Sequence, residues 1–236
     1  MAGITIDVHW PRNASVTGWM GAMGFFEEIN GLGFRAPRGP AASYKALQPI
    51  AHIVEEGEVS LLVNRFENRL RKRYPLTDQS RNALVKVMFE LFQNIPQHSN
   101  ATGEIADSHG LAAMQDYADS IFLSVADMGI GLRKSLATRK EFSKLTDASA
   151  LNKIVFEGMS RFSDPGHGGE LRRIASLAHK WGGLLVIRSG EALLYMDVER
   201  GELYDAPYFP GVQIGLRLSR GLFGIGSPAV DNEGAI

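Results

Sequence analysis

The chain has no cysteine, which excludes a disulfide framework and a thiolate metal site and fits a reducing compartment. It has almost no excess of charge either. Its 25 Lys and Arg nearly balance 26 Asp and Glu, and the formal net charge of −1 leaves no global field to gather nucleic acid or an anionic membrane. No run of about 18 apolar residues occurs, so no membrane-spanning helix is expected. Residues 1–10 include Asp7 and His9 and no long apolar run, and are not expected to be a signal peptide. There is no G-x-x-x-x-G-K-[ST] loop and no G-x-S-x-G elbow, which removes the P-loop and serine-hydrolase readings. His9, His52, His109 and His179 show no spacing that builds a metal site. What remains is 236 residues of ordinary globular composition, 44% apolar and 22% charged, with a cytoplasmic location expected.

Hydrophobic periodicity divides the chain. Ile4, Ile6, Val8 and Trp10 alternate as in a half-buried strand that Pro11 ends. Residues 15–30 read as one helix with Trp19, Met20, Met23, Phe26 and Ile29 on one side and Gly31 as its C-cap. Glycines and prolines make 31–44 a loop, and 47–54 a short strand. Residues 58–74 read as a helix with an apolar stripe of Leu61, Leu62, Phe66 and Leu70. Its closing Arg69, Arg71, Lys72 and Arg73 suit the helix dipole and are expected to stay solvated. Thr77 is a good N-cap for the next helix, whose apolar residues fall at Leu84, Val87, Met88, Leu91, Phe92 and Ile95. Strands over 111–117 and 120–126 follow, then a polar, poorly periodic stretch over 132–165 and a helix over 168–181. Three strands, 184–188, 192–198 and 211–218, precede a Gly- and Pro-rich tail expected to be mobile. Strands and helices without strict alternation predict an α+β sandwich rather than a doubly wound fold. The division expected is an N-terminal strand-helix appendage over 1–60, a main domain over 61–220 and a tail over 221–236.

Three short motifs carry chemistry. Glu90 and Asn94 are four residues apart, so their side chains share one helix face beside the apolar stripe. A carboxylate there can act as general base toward a water. An amide oxygen one turn later can complete the shell of a Mg²⁺ held mainly by phosphates. The plain alternative is a polar pair on a solvated flank. Asp127-Met-Gly129-Ile-Gly131 follows an apolar strand. Its carboxylate can accept from an exocyclic adenine amine while the glycines admit the ring closely, or it can simply cap a turn. Gly166-His167-Gly168-Gly169 opens a helix, where backbone N–H groups bind phosphate. His167 can meet a terminal phosphate or remain a solvated loop histidine, and His98 reads as a packed structural histidine.

In this order the motifs resemble those of the GHKL ATPase superfamily, which contains DNA gyrase, the ninety-kilodalton heat-shock chaperone, histidine kinases and mismatch-repair MutL. The segment from Glu90 through Asn94 to Ser99 resembles its N box. Asp127 to Gly131 resembles the G1 box, and Gly166 to Gly169 the G2 box. The stretch from Gly182 to Gly190 is similar to the strand region after G2 in bacterial stand-alone members, and Pro210-Gly211-Val212 to their last strand. The likeness covers roughly residues 77–219. It implies a GHKL (Bergerat) fold, a two-layer α/β sandwich with a mixed sheet covered by helices on one face, with Glu90 as general base and Asn94 as Mg²⁺ ligand. By the same likeness Asp127 would read the adenine amine, Gly129 and Gly131 would make room for the base, and Gly166, His167, Gly168 and Gly169 would hold the phosphates. Residues 132–165 would be the ATP lid. Three positions depart from the pattern. Glu170 stands where a glycine is common, Pro96 is expected to kink or end the helix after Asn94, and Val212 stands where Thr is frequent.

The resemblance implies an ATP- and Mg²⁺-dependent protein that switches a lid and a protein partner through binding and hydrolysis. An alternative is a serine/threonine protein kinase of the anti-sigma-factor type acting on a small partner domain. A third is a degenerate ATP site serving as an interaction module. The partners expected are ATP and a protein of unknown identity, with a homodimer compatible; neither nucleic acid nor membrane is expected.

Overall fold

The computed structural model describes residues 9–31, 47–99, 110–162 and 169–223. Five strands form one open sheet: β1 (Gln48–Ile53), β2 (Gly110–Asp116), β3 (Ser120–Asp127), β4 (Leu184–Met196) and β5 (Gly201–Ser219). Their order is β1-β2-β3-β5-β4, and every neighbouring pair is antiparallel. The fold is therefore α+β, but the expected mixed sheet is antiparallel among the described residues. The connections give the reason. β2–β3 and β4–β5 are sequential neighbours that fold back on themselves. Between β1 and β2 the chain runs through two helices, α3 (Glu56–Arg73) and α4 (Asp78–Ser99), and two successive helices return it in the sense opposite to a single crossover. β3 and β4 do run the same way, but β5 lies between them.

One face of the sheet carries the core. Leu84, Val87, Met88, Leu91, Phe92 and Ile95 of α4 are each no more than 2% exposed, so the helical period read from the sequence is the buried stripe. Each such side chain contributes about 1.5–3 kcal/mol of apolar burial. They meet Ala112, Met114, Ile121, Leu123 and Val125 of β2 and β3 in one cluster, which α7 (Glu170–Lys180) joins through Leu171, Ile174, Ala175 and Ala178. Thr77 caps α4, with its Oγ1 accepting from Ser80 N–H at 3.2 Å. α4 does not end at Pro96 but continues to Ser99. A proline removes its own N–H bond and crowds the carbonyl four residues back, but here it sits one turn from the helix end, beside a stripe already anchored in the core.

Several local expectations need correction. Leu61 is 70% exposed; the buried side of α3 is Val59, Leu62, Val63, Phe66 and Leu70, and Leu61 points about 100° away from Leu62. Arg73 at the end of α3 is not merely solvated, because its Nε donates to the buried carboxylate of Asp116 at 3.1 Å. The helix expected over 15–30 is two helices, α1 (Ala14–Ala22) and α2 (Phe25–Gly31), because Gly24 takes a φ of +79° and turns the chain. They lie toward the opposite face of the sheet. Ile50 N–H donates to the Met23 carbonyl at 2.9 Å, and His52 Nε2 lies 2.9 Å from Glu28 Oε2. The two strands expected over 184–188 and 192–198 are one strand, β4, with an irregular register at Ser189–Gly190. β5 begins ten residues before the expected Gly211. The poorly periodic stretch after β3 is helical in short pieces: α5 (Gly131–Leu136), a 3₁₀ turn (Lys140–Phe142) and α6 (Asp147–Val155). Leu136, Phe142 and Ala150 give it a small core of its own, which explains why no long period was visible. The strand expected over 4–10 and the tail fall mostly outside the described residues, as does the side chain of His98. No helix among the described residues is long and apolar enough to cross a membrane.

Candidate functional site

The stripe of α4 faces the sheet, so the flank bearing Glu90 and Asn94 borders the gap between α4 and α7. Asn94 is half-buried and lines a cavity of about 80 Å³. Glu90, one turn earlier, does not line it. The Glu90 side chain is only 13% exposed, and its Oε1 accepts from Arg173 Nη2 of α7 at 3.1 Å. The same Nη2 lies 3.6 Å from Oε1 of Glu170. One guanidinium thus stands between two carboxylates.

Asp127 ends β3 and is 8% exposed. Burial pushes its carboxyl up to about 6, against the opposing effect of N–H donors from Gly129 and Val212. The Gly129 N–H reaches Oδ1 at 2.7 Å, so Asp127 caps a turn, and the residue also lines the cavity. Two glycines build the backbone around it. A Cβ on Gly211 would stand 2.0 Å from the Asp127 carbonyl oxygen, so only glycine lets the start of the β3–β5 pairing close here. Gly131 takes a φ of +76°, and a Cβ there would meet the Pro210 carbonyl at 2.8 Å.

The cavity brings together three of the residues read from the sequence: Asn94, Asp127 and Gly169. Its walls are mainly apolar, with Leu91, Ile95, Val125, Leu132 and Ile214, and Met159, Ser160 and Arg161 close the side toward α6. Gly129 and Gly131 do not face it but shape the turn that holds Asp127. Gly169 precedes α7 with a φ of +78°. Gly166, His167 and Gly168 lie outside the described residues. Val212 lines the cavity with its side chain, while its backbone serves Asp127. A larger groove of about 530 Å³ lies on the other face of the sheet, between Trp19, Met23 and Phe25 and strand residues such as Phe122, and among the described residues no carboxylate lines it.

Sequence reasoning missed four contributors. Ser189 is buried in β4; its Oγ donates to the Gly211 carbonyl at 2.8 Å and accepts from Leu132 N–H at 2.9 Å, pinning the first turn of α5 to the sheet. Asp147 at the start of α6 accepts from Arg133 Nε at 2.7 Å and from Glu191 N–H at 3.0 Å, and it occupies the space that a side chain at Gly190 would need. A lone glycine inside an apolar strand was the available signal for such a close approach. Arg161, whose pKa burial lowers, and Arg173 had no local signal that separates them from other arginines. Among the described residues, no three acidic, histidine or cysteine side chains converge as a metal site. No family model matches the chain, and no curated protein is significantly similar to it.

Proposed function

We propose that this is a GHKL-type ATP-binding protein that uses binding and hydrolysis of ATP with Mg²⁺ to switch the segment over 132–165 and so alter contact with a protein partner. The observation that carries the reading is the buried carboxylate of Asp127 within an apolar cavity that Asn94 and Gly169 also line. Apolar walls suit the faces of a purine, and a single buried acceptor suits its exocyclic amine. A magnesium ion held mostly by phosphates needs few protein ligands, and the one half-buried amide of Asn94 suits that role. Bound there, it would offset phosphate charge. Glu90 is the candidate general base, close to the cavity on the same helix.

A second reading, a degenerate site that serves protein interaction, is supported by Glu170, whose carboxylate sits at the cavity wall where phosphates would approach. One experiment separates the readings. Calorimetric titration with ATP and Mg²⁺, followed by product analysis, is expected to give saturable binding and release of phosphate. Label passing from ATP to a co-expressed protein instead would mark the kinase alternative. A folded protein with no affinity for ATP would remove both and leave the interaction module.

A further inference from the structure

We propose that Arg173 is the cation through which this site senses the phosphates of a nucleotide, and that their binding draws it away from Glu90; this rests on the ATP-site reading above. Arg173 is in the first turn of α7, and its side chain is 47% exposed, so a ligand can reach it. Its Nη1 would lie 3.8 Å from a Cβ on Gly169, which places the guanidinium against the glycine that borders the cavity. It pairs with Glu90 across the gap to α4 and with Glu170 on its own helix. These two pairings are not equivalent. Glu170 is three residues away on the same turn, so the guanidinium can swing while keeping that contact. Glu90 belongs to another helix and loses the contact when it swings. Phosphate oxygens match the planar fork of donors and carry more charge than one carboxylate, so they compete well for it.

Two features of the site then have one cause. Glu170, an acid beside the expected path of the phosphates, acts as the positioning residue of Arg173. Glu90 is held by a guanidinium until a phosphorylated ligand arrives. Nucleoside alone, with no phosphate, leaves that pair in place.

The test compares ATP with adenosine, each titrated by calorimetry into wild-type protein and into R173Q, R173K and E90Q, with circular dichroism as the check of folding. R173Q is expected to weaken ATP about tenfold and leave adenosine unchanged. R173K is expected to keep part of the preference for ATP. E90Q, which relaxes the hold on Arg173, is expected to tighten ATP without affecting adenosine. Equal losses for ATP and adenosine in R173Q would make Arg173 a merely structural residue and overturn the proposal, as would unchanged ATP affinity in R173Q or weaker ATP binding in E90Q. Should R173Q not fold, R173K decides alone: weaker ATP with unchanged adenosine supports the proposal, and parallel changes overturn it. If wild-type protein binds neither ligand, the ATP-site reading itself fails, a result distinct from failure of the Arg173 role.

Discussion

Asp127→Asn separates the cost of burying a charge from its use in recognition. Burial raises the carboxyl from 3.8 to about 6, so between those values the native protein holds more protons than the unfolded chain. Stability therefore falls as pH rises through that window. A shift of about two units amounts to about 3 kcal/mol, absent well below about pH 4 and complete above about pH 7. Roughly 1.5 kcal/mol of this lies between about pH 5 and about pH 8. Asparagine cannot ionise and carries no such dependence. Its single oxygen can still accept from Gly129 N–H, while loss of the Val212 bond would cost about 1 kcal/mol at every pH. The diagnostic is consequently the difference in pH dependence, not the absolute stability. Denaturant unfolding without nucleotide is expected to show the variant gaining on wild type by about 1.5 kcal/mol from about pH 5 to about pH 8, since the other titrating groups cancel. Parallel curves would refute the desolvated carboxylate. The same variant is expected to lose ATP binding while folded, and unchanged affinity would refute the adenine role. In wild type, ATP affinity should rise with pH through about 6, because the ionised carboxylate is the better acceptor for an amine.

Other outcomes follow from the same geometry. Glu90→Ala, which like E90Q frees Arg173, is expected to bind ATP at least as tightly as wild type and lose turnover by about a hundredfold or more, checked by phosphate release; wild-type rates would exclude the general base. Gly131→Ala, strained at φ +76° and crowded against the Pro210 carbonyl, is expected to destabilise by about 1–3 kcal/mol in thermal or chemical unfolding. Tyr74→Phe removes a hydroxyl that donates to the buried Asp116 Oδ2 at 2.5 Å and meets Arg220, so about 1–2 kcal/mol should be lost on denaturant unfolding; an unchanged midpoint would contradict it.

The sequence was most legible where structure is local. The α4 stripe obeys one helical period because one face of one helix is buried, and all six residues expected inside are inside. The Asp127 turn was legible because its Gly129 hydrogen bond spans two residues. The start of β5 was not. Its first ten residues include Pro207 and Pro210, and β3 pairs with β5 only from Val212 to Ser219, so that earlier part has no β3 partner that would need their missing donors. The division of α1 from α2 was similarly hidden, since Gly24 interrupts a run whose apolar spacing still satisfies one helix.

The candidate site shows the same divide, and there it has chemical consequences. Groups that would touch a ligand sit in short motifs and could be named: Asn94 by its spacing from Glu90, Asp127 by its glycines. Groups that anchor those motifs from other elements are remote in sequence. Arg173 pairs with Glu90 across 83 residues, and Ser189 holds the α5 turn across 57. Glu170 illustrates why the distinction matters. Read locally, it is an acid in place of a glycine and argues against phosphate. Read with Arg173 beside it, it helps hold a cation next to Gly169, one that it shares with Glu90. A departure from a motif is thus not evidence of a defective site until the charge that faces it is known.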